Sequence, residues 1–359
     1  MYRNILFFCL SFLLSFHALA ARAPAADALY PITAVIADPN AIEVYPSIAG
    51  EHLVYSLRDL NEYSVVQVNK NTLKQTKTIA AMQPHEAIRF GRALSNGQIL
   101  YTSNRMGPVS IWLRNTVGES HTLIGNSNTF NGGLIPLNPS ISNDGHVSAF
   151  DTTLQKTRRA IILNDYDDGF LNIELLGQTW RHYHSDMFRY KQGYKPTEVG
   201  TKNKFRAPHI FIVDRQKSTT TMLPNAQNPM ISPNGEQMIF TRDTGGNYDL
   251  WIQNIDGSQQ QRLTDSPFGE FEAAWSPDGR KIAFVSNKDA AGDVRLTSIY
   301  VMDLQSKQMI QLTNSPRATD GGPTWKDNQT ILFHSNRDLE HWQSDTMKDW
   351  NIWSVQVPQ

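Results

Sequence analysis

The chain has 359 residues, with 33 Lys and Arg against 34 Asp and Glu, so its formal net charge is -1 when histidine is neutral. That balance argues against a nucleic-acid-binding protein, because affinity for the phosphate backbone requires a basic surface. Hydrophobic residues make up 40% of the chain and charged residues 19%, and 22 Gly and 18 Pro are spread along it. This composition is typical of a globular protein with many turns and excludes disorder and collagen.

The first twenty residues have the pattern of a cleavable signal peptide. Arg3 lies in a short basic segment, the stretch from Ile5 to Phe16 is apolar, and Ala18-Leu19-Ala20 fits a small-x-small cleavage site. The apolar stretch is shorter than the roughly 20 residues that a membrane-spanning helix needs. We predict a signal peptide over residues 1–20, one domain over residues 21–359, and export to the periplasm, with an extracellular location as the alternative.

The only cysteine, Cys9, lies inside the predicted signal peptide. A mature chain without it has no thiol for a disulfide, a thiolate metal site or a cysteine nucleophile. No later stretch is long and apolar enough to span a membrane. We therefore expect a monomer without a membrane span, stabilised by packing.

The C-terminal third of the chain repeats itself. The segment Ile231-Ser-Pro-Asn-Gly-Glu-Gln-Met-Ile-Phe240 matches Trp275-Ser-Pro-Asp-Gly-Arg-Lys-Ile-Ala-Phe284. In each copy an apolar residue, which we call the anchor, precedes a Ser-Pro-Asn/Asp-Gly turn and an alternating strand. A second strand-turn-strand pattern follows, so one unit is predicted to form four short antiparallel strands.

Weaker copies place further anchors at Ile48, Leu94, Ile141 and Trp325. Successive anchors are 46, 47, 90, 44 and 50 residues apart. The spacing of 90 is about twice the others, so it predicts a degenerate unit between residues 178 and 223 and a total of seven units, with six as the alternative. Four-stranded units at such a period are typical of a β-propeller.

The two ends of the chain predict how the propeller closes. The last unit reaches the C-terminus with only three predicted strands, and Ile32-Thr-Ala-Val-Ile-Ala37 forms an extra predicted strand before the first unit. Pairing these segments removes exposed strand edges. The predicted fold is all-β, a propeller of four-stranded antiparallel blades closed by the N-terminal strand in the last blade.

Aromatic residues recur at strand positions of the repeat. Packing between blades explains such a pattern, because large rings bury much apolar surface. We predict burial for Trp112, Trp251, Trp275, Tyr300, Trp325 and Trp353.

The clearest repeat resembles a known family. The segments that carry the resemblance are Trp275-Ser-Pro-Asp-Gly279, Ser286-Asn-Lys-Asp289, Ile299-Tyr-Val-Met-Asp303 and Gln311-Leu-Thr313. They look like the WD-like propeller repeat of the TolB family of the Tol-Pal envelope system. The resemblance is strong over residues 228–357 and weak over residues 40–223. The chain differs from that family because residues 21–43 are too few for its N-terminal α/β domain, and the family's propeller has six blades.

This resemblance also implies a function. It implies a periplasmic scaffold for protein-protein interactions, which binds an envelope protein or a peptide, with a Pal-like lipoprotein as the first partner to test. Similar repeats form the propellers of prolyl-oligopeptidase relatives and of oligogalacturonate lyases, and the latter hold a His-liganded metal at the channel mouth. The alternative is therefore a metal-dependent polysaccharide lyase or hydrolase. The sequence contains no Gly-x-Ser-x-Gly, His-Glu-x-x-His or phosphate-binding loop, which favours a role without catalysis.

Long and varied connections are predicted on one face of the propeller, where binding residues usually lie. Most candidate binding residues follow the second strand of a unit, and one is an aromatic residue in the last long connection. They are Arg58, Asp59, Arg105, Arg242, Asp243, Asn336, Arg337, Asp338 and Trp342. Local turn hydrogen bonds and Arg-carboxylate bridges between blades are the alternative role for the turn residues.

Four histidines on the same predicted face are candidate metal ligands, namely His85, His182, His184 and His341. In an extended segment His182 and His184 would point the same way, and imidazoles suit a divalent metal. Surface histidines without a metal are the alternative, in which case no cofactor is expected.

Three carboxylates share a repeat position five residues before the anchor, and they are Glu43, Glu270 and Asp320. Gathered at one channel mouth, they would suit a hard cation with oxygen ligands. Alternatively they are solvated and pair with Arg89 or Arg92, which we take as the default.

Overall fold

The computed structural model describes residues 29–38, 41–59, 62–80, 86, 88–105, 109–124, 137–155, 205–244, 247–293, 296–314, 318–337 and 350–358. These residues form six antiparallel sheets of four strands each, so the part of the chain that the structure describes contains six blades. None of its helices is long and apolar enough to span a membrane. The predicted signal peptide lies outside these residues.

The strands follow the predicted repeat. Strand β1 (Ile32–Ile36) precedes blade 1, which contains β2 (Ala41–Ala49), β3 (His52–Asp59), β4 (Glu62–Asn69) and β5 (Gln75–Ala80). Blade 2 contains β6 (Ile88–Ala93), β7 (Ile99–Ser103), β8 (Ser110–Arg114) and β9 (Ser120–Ile124). Blade 3 contains β10 (Leu137–Ile141), β11 (Val147–Gln155), β12 (Phe205–Asp214) and β13 (Thr219–Pro224).

The second half has the same plan. Blade 4 contains β14 (Gln227–Ile231), β15 (Gln237–Asp243), β16 (Tyr248–Asn254) and β17 (Gln261–Arg262). Blade 5 contains β18 (Glu270–Trp275), β19 (Lys281–Ser286), β20 (Ser298–Asp303) and β21 (Met309–Gln311), with a 3₁₀ turn at Lys288–Ala290. Blade 6 contains β22 (Asp320–Trp325), β23 (Thr330–Ser335) and β24 (Asn351–Gln356), with β1 as its fourth strand.

The predicted count of seven units is wrong, and blade 3 explains why. Strand β11 pairs directly with β12, from Val147 opposite Asp214 to Gln155 opposite Phe205. In sequence, residues 156–204 therefore connect the second and third strands of one blade. The strands that suggested a separate unit, β12 and β13, complete blade 3. The doubled anchor spacing reflects one long connection, and six, the alternative, is the observed number.

Strand β1 lies beside β24 in blade 6. Ile32 is opposite Val355 and Thr33 is opposite Ser354 in this antiparallel pair. Blade 1 in turn contacts blade 6, because the N–H of Glu43 donates to the carbonyl oxygen of Trp350 at 2.8 Å. The strand predicted ahead of the first unit is thus the outer strand of the last sheet.

The apolar core lies between neighbouring blades. One cluster joins Leu100 and Leu113 of blade 2 to Phe150 and Phe211 of blade 3. Five of the six aromatic residues predicted to be buried are buried, namely Trp112, Trp275, Tyr300, Trp325 and Trp353. Trp251 is only half-buried.

The first strands of successive blades contact one another, from β2 through β6, β10, β14, β18 and β22 and back to β2. Each is irregular at the same repeat position, where the pairing register with the second strand shifts. One residue there has a positive φ, between 44° and 55°, in each blade. These six residues, which we call the bulge ring, are Tyr45, Phe90, Asn138, Asn228, Glu272 and Gly322.

The bulge also accounts for a sequence feature. The residue after the bulge-ring member is proline in four blades, at Pro46, Pro139, Pro229 and Pro323. Proline has no N–H for the ladder and is found at sheet edges and bulges, and this position is both. A bulge also redirects the side chain that it carries. In the five blades whose bulge-ring member is not glycine, the bulge thus aims one side chain differently from its strand neighbours.

Candidate functional site

The connections separate into a short-loop face and a long-loop face. Every described connection between the first and second strands, and between the third and fourth strands, is short, as at residues 232–236 and 304–308. The connections between the second and third strands, and between blades, include residues 125–136, 156–204 and 336–350. This division matches the predicted one.

Six of the predicted site residues, including all four metal ligands, lie outside the part of the chain that the structure describes. His85, His182, His184 and His341 lie outside the described residues, as do two predicted binding residues, Asp338 and Trp342. Within the described ranges, no group of three or more His, Cys, Asp or Glu side chains is arranged to hold a metal ion. The histidine site stays a prediction.

Arg105 and Arg337, two predicted binding residues, make equivalent contacts within their blades. Arg105 Nε donates to Glu86 Oε1 at 2.9 Å, and Glu86 lies just before the first strand of blade 2. Arg337 Nη2 donates to both carboxylate oxygens of Asp320, at 2.7 and 2.6 Å, at the start of the first strand of blade 6. Each arginine therefore fastens the end of a second strand to the start of a first strand. Arg-carboxylate bridges were expected between blades, and these two lie within blades.

Two further predicted residues stack on aromatic rings. The guanidinium of Arg58 lies 5.3 Å from the ring centre of Tyr63, and that of Arg89 from blade 2 lies 4.8 Å from it. Arg242 lies 4.9 Å from the ring of Trp251, and burial lowers the pKa of Arg242. Such cation-ring contacts contribute ~0.5–1 kcal/mol each at exposed sites.

The remaining described members of the predicted set lie at strand ends. Asp59 ends β3 opposite Glu62, and Asp243 ends β15 opposite Tyr248. Asn336 Oδ1 accepts the N–H of Thr319 at 2.7 Å. The described members of the set therefore lie in four different blades and make local contacts.

The default expectation for the three repeated carboxylates is wrong. Glu43, Glu270 and Asp320 are each at most 3% exposed, so none is solvated. Burial raises the pKa of Glu43 to about 7, and burial also raises the pKa of Glu270, which accepts hydrogen bonds from the hydroxyls of Ser266 and Ser286. Asp320 pairs with Arg337 instead of Arg89 or Arg92. Two of the acids also join neighbouring blades: Glu43 Oε1 accepts the N–H of Asp38, which follows β1, and Asp320 Oδ2 accepts the hydroxyl of Thr313, which follows β21.

A cavity of about 520 Å³ opens on the short-loop face, where the first strands of all six blades end. Each first strand contributes the residue two positions after its bulge-ring member, and these six are Ser47, Arg92, Ser140, Met230, Ala274 and Thr324. The charged residues in the wall are Lys70, Arg92, Lys326 and Asp327. We call this space the mouth cavity. The long connections that are predicted to carry the binding residues lie on the opposite face.

Hydrogen bonds between blades hold the wall of the mouth cavity. Ser47 Oγ accepts the N–H of Ala93 at 3.1 Å, and Ser140 Oγ accepts the N–H of Ile231 at 2.9 Å. The indole N–H of Trp275 donates to the carbonyl oxygen of Met230 at 3.0 Å. Because each bond crosses from one blade to the next, the wall is held by the ring as a whole.

Arg92 connects the mouth cavity to the bulge ring. Its Nε is shielded from solvent and has no hydrogen-bond partner among the described residues. Burial lowers the pKa of Arg92, while the nearby charges of Glu272 and Tyr45 raise it. A guanidinium that loses water without gaining an acceptor costs free energy. Groups perturbed in this way often mark functional sites.

The bulge ring is built from contacts between neighbouring blades. The rings of Tyr45 and Phe90 lie 4.8 Å apart. Asn138 Nδ2 donates to Asn228 Oδ1 at 2.8 Å. The third pair is Glu272 and Gly322, in which Glu272 Oε2 accepts the N–H of Gly322 at 2.7 Å. Three kinds of contact, aromatic, amide and carboxylate, thus occupy one repeat position.

His334 supports this ring from the second strand of blade 6. Its Nδ1 accepts the N–H of Tyr45 at 3.2 Å, and a Cβ on Gly322 would lie only 2.6 Å from the same nitrogen. Burial, with a smaller effect of Arg92, lowers the pKa of His334 to about 3. The imidazole is therefore neutral at physiological pH, and glycine at position 322 leaves room for it.

Two signals in the sequence pointed toward this site without identifying it. A proline or small residue two places before five of the six anchors marks the bulge, and Arg92 stands out as a charge at that distance before Leu94. Equivalent residues of successive blades are 44 to 90 positions apart in the chain. Only the ring brings them together.

Comparison with known proteins supports the fold. No family model matches the chain. An uncharacterized protein of Agrobacterium fabrum is 27% identical over 155 residues, which cover 41% of this chain and 49% of that protein. The uncharacterized peptidase YuxL of Bacillus subtilis is 38% identical over 97 residues, which cover 26% of this chain and 15% of that protein. The matches thus span less than half of the length of these relatives.

Among solved structures, an oligogalacturonate lyase in complex with manganese has a TM-score of 0.50 and 13% identity, covering 92% of this chain and 97% of that one. A putative TolB from Agrobacterium tumefaciens has a TM-score of 0.48 and 13% identity, covering 89% and 91%. TolB from Acinetobacter baumannii has a TM-score of 0.47 and 14% identity, covering 92% and 80%. The likeness to the lyase structure shows a shared fold, and the residues that the structure describes form a six-bladed β-propeller.

Proposed function

We propose that this propeller is a periplasmic binding scaffold of the bacterial envelope, and that it holds its partner at the mouth cavity. The observation that carries the proposal is a cavity whose wall draws residues from the first strands of all six blades. A wall supported by the whole ring is rigid, so binding there loses little conformational freedom. The partner we propose is an envelope protein or a peptide, and a Pal-like lipoprotein is the first to test.

The cavity has the size and lining of a recognition site. Its volume of about 520 Å³ lies within the ~300–1,000 Å³ range of ligand pockets. Apolar groups such as Met230, Trp275 and Trp325 alternate with hydroxyl and amide groups in the wall. This mixture suits a short segment of a protein partner, which supplies both backbone polar groups and apolar side chains.

Photocrosslinking at the mouth cavity tests the proposal. Ser95 lines the cavity and is exposed, so a photoreactive residue there should crosslink a bound envelope protein when the exported chain is expressed in cells. Val117, which is 80% exposed on a turn outside the cavity wall, is the matched control position. A specific product at position 95 that is missing at position 117 supports the proposal. Equal products, or none at either position, would count against it.

A fractionation experiment tests the proposed location. Export with cleavage after residue 20 should place a shortened chain in the periplasmic fraction, with an N-terminus at Ala21 by mass spectrometry. An uncleaved chain retained in the cytoplasm would overturn this part of the proposal.

The alternative remains a metal-dependent polysaccharide lyase or hydrolase. It would use His182, His184, His85 and His341 as ligands. Metal analysis of the purified chain, beside a His182→Ala/His184→Ala variant, separates the two functions. A near-stoichiometric metal that is lost in the variant favours the enzyme, and no bound metal in either protein favours the scaffold.

A further inference from the structure

Arg92 lies at the mouth cavity with its Nε unpartnered in the part of the chain that the structure describes. Its Nε is shielded from water and unpaired among the described residues, and Arg92 also forms part of the cavity wall. The neighbouring carboxylate, Glu272, accepts a hydrogen bond from the N–H of Gly322. Arginine presents donors in a planar fork, so an acceptor that enters the cavity would satisfy it.

The rest of the wall favours an anion. Lys326 and Lys70 join Arg92 in the wall, against a single wall acid, Asp327, and Lys70 Nζ also lies 3.6 Å from Glu51 Oε1, which is not part of the wall. Positive charge in a concave site concentrates anions there. Basic side chains therefore outnumber acids in the wall of the mouth cavity.

We propose that the mouth cavity binds the free C-terminal carboxylate of a polypeptide on Arg92. This proposal rests on the proposed function, because it names the group by which the scaffold recognises its partner. The carboxylate and the guanidinium form a bidentate pair, which fixes orientation as well as adding binding energy. A cavity of about 520 Å³ admits a short chain end more readily than a folded surface.

The apolar part of the wall favours a peptide end over phosphate. The donors of Arg92 suit a carboxylate and a phosphate alike. A peptide end also brings side chains that can contact Met230, Trp275 and Trp325 in the wall. Inorganic phosphate has no such groups and should therefore bind more weakly than a peptide end.

The test uses two matched peptide libraries, identical except that one has free C-terminal carboxylates and the other has C-terminal amides. Purified mature protein is incubated with each library, and retained peptides are measured by mass spectrometry. The free-carboxylate library should be retained and the amidated one lost. For a retained peptide, Arg92→Gln should weaken binding about ten-fold or more, since it removes a charge-assisted pair.

Two further variants separate a binding role from a structural one. Arg92→Lys keeps the positive charge but lacks the two parallel N–H donors of a guanidinium. Its affinity for the peptide should lie between those of the wild type and Arg92→Gln. Arg280→Gln removes an exposed arginine outside the cavity wall and should bind as wild type does. Arg92→Gln should melt at or above the wild-type temperature, because it removes a poorly paired buried cation.

Several results would overturn the proposal. The first is equal retention of the two libraries, and the second is unchanged peptide binding by Arg92→Gln. The third is displacement of a bound peptide by inorganic phosphate at a concentration as low as that at which unlabelled peptide displaces it. The proposed scaffold function can fail separately. A crosslink at position 95 that persists in Arg92→Gln keeps the scaffold and rejects the carboxylate, whereas library binding without any crosslink keeps the carboxylate and rejects the envelope partner.

Discussion

At the residue scale, position in the ring decides what each charged side chain does. The sequence pattern predicts Arg105 and Arg337 to be surface binding residues, yet both are paired with buried carboxylates inside their own blades. Arg92 carries the same charge, and its Nε has no hydrogen-bond partner among the described residues. The difference arises because Arg92 lies at the end of a first strand, where the blades converge, and the other two lie at the ends of second strands.

Asp151 should make the protein less stable as the pH rises. Burial raises its pKa to about 7, although Asn138 Nδ2 and the N–H of Asn228 donate to its carboxylate at 2.9 and 2.6 Å. A carboxyl whose folded pKa exceeds its unfolded value stays protonated longer in the folded state. The free energy of unfolding should therefore fall between about pH 4 and pH 7, by a few kcal/mol at most.

Asp151→Asn should remove most of this pH dependence, because the amide is neutral and its oxygen still accepts both hydrogen bonds. Urea unfolding of both proteins at pH 5 and pH 8 measures the effect. Glu43→Gln should reduce the pH dependence in the same direction, since burial also raises the pKa of Glu43, in another blade. A variant that loses stability equally at both pH values would show that Asp151 is ionised in the folded protein.

Gly322→Ala should be destabilising by ~2 kcal/mol or more, from both a positive φ and a clash with His334. The added Cβ would lie 2.6 Å from Nδ1 of a buried imidazole that is also held by Tyr45. Gly145→Ala is the control, because Gly145 has a φ of 77° with nothing within 4 Å of its Cβ position. Chemical unfolding should show a smaller loss for Gly145→Ala, and equal losses would mean that the clash is relieved.

At the element scale, the bulge in each first strand builds the interior of the ring. Six register shifts at one repeat position redirect five side chains and the backbone of Gly322, and the contacts between neighbouring members join the blades. Different residues occupy this position because each contact is made in a pair with the adjacent blade.

The N-terminal strand should contribute strongly to stability, although it is short. Strand β1 covers the outer edge of β24, and Ile32 packs on the cluster that contains Trp353 and Phe333. A mature chain that begins at residue 38 should melt at a lower temperature and aggregate more than one that begins at residue 29, because it exposes an unpaired strand edge. Thermal unfolding and light scattering compare the two, and identical behaviour would show that β1 is dispensable.

At the scale of the whole molecule, the long connection between β11 and β12 lies within one blade. It therefore adds no further blade to the six that the structure describes. Strands β11 and β12 are paired along their length, up to Gln155 opposite Phe205. The loop-closure cost grows slowly with length, so a long insertion between paired strands is tolerated.

Replacing residues 156–204 with a short Gly/Ser turn should therefore preserve the propeller. We expect an unchanged circular dichroism spectrum of the β-sheet and a melting temperature within a few degrees of wild type, because the pairing of β11 with β12 does not depend on the length of the connection. A change in sheet content, or unfolding in two steps, would show that the segment is part of the fold. Metal analysis of the same variant shows whether His182 and His184 contribute to a metal site.

The amino-acid sequence by itself determined the repeat, the four-stranded antiparallel unit and the strand left over before the first unit. These properties follow from local patterns, since alternation and Ser-Pro-Asp-Gly turns act within a few residues. The tertiary structure decided the number of blades and the location of the candidate site. Spacing alone cannot distinguish an inserted connection from a weak repeat, and the mouth cavity joins residues such as Ser47, Arg92 and Ser140 that meet only when successive blades pack around one axis.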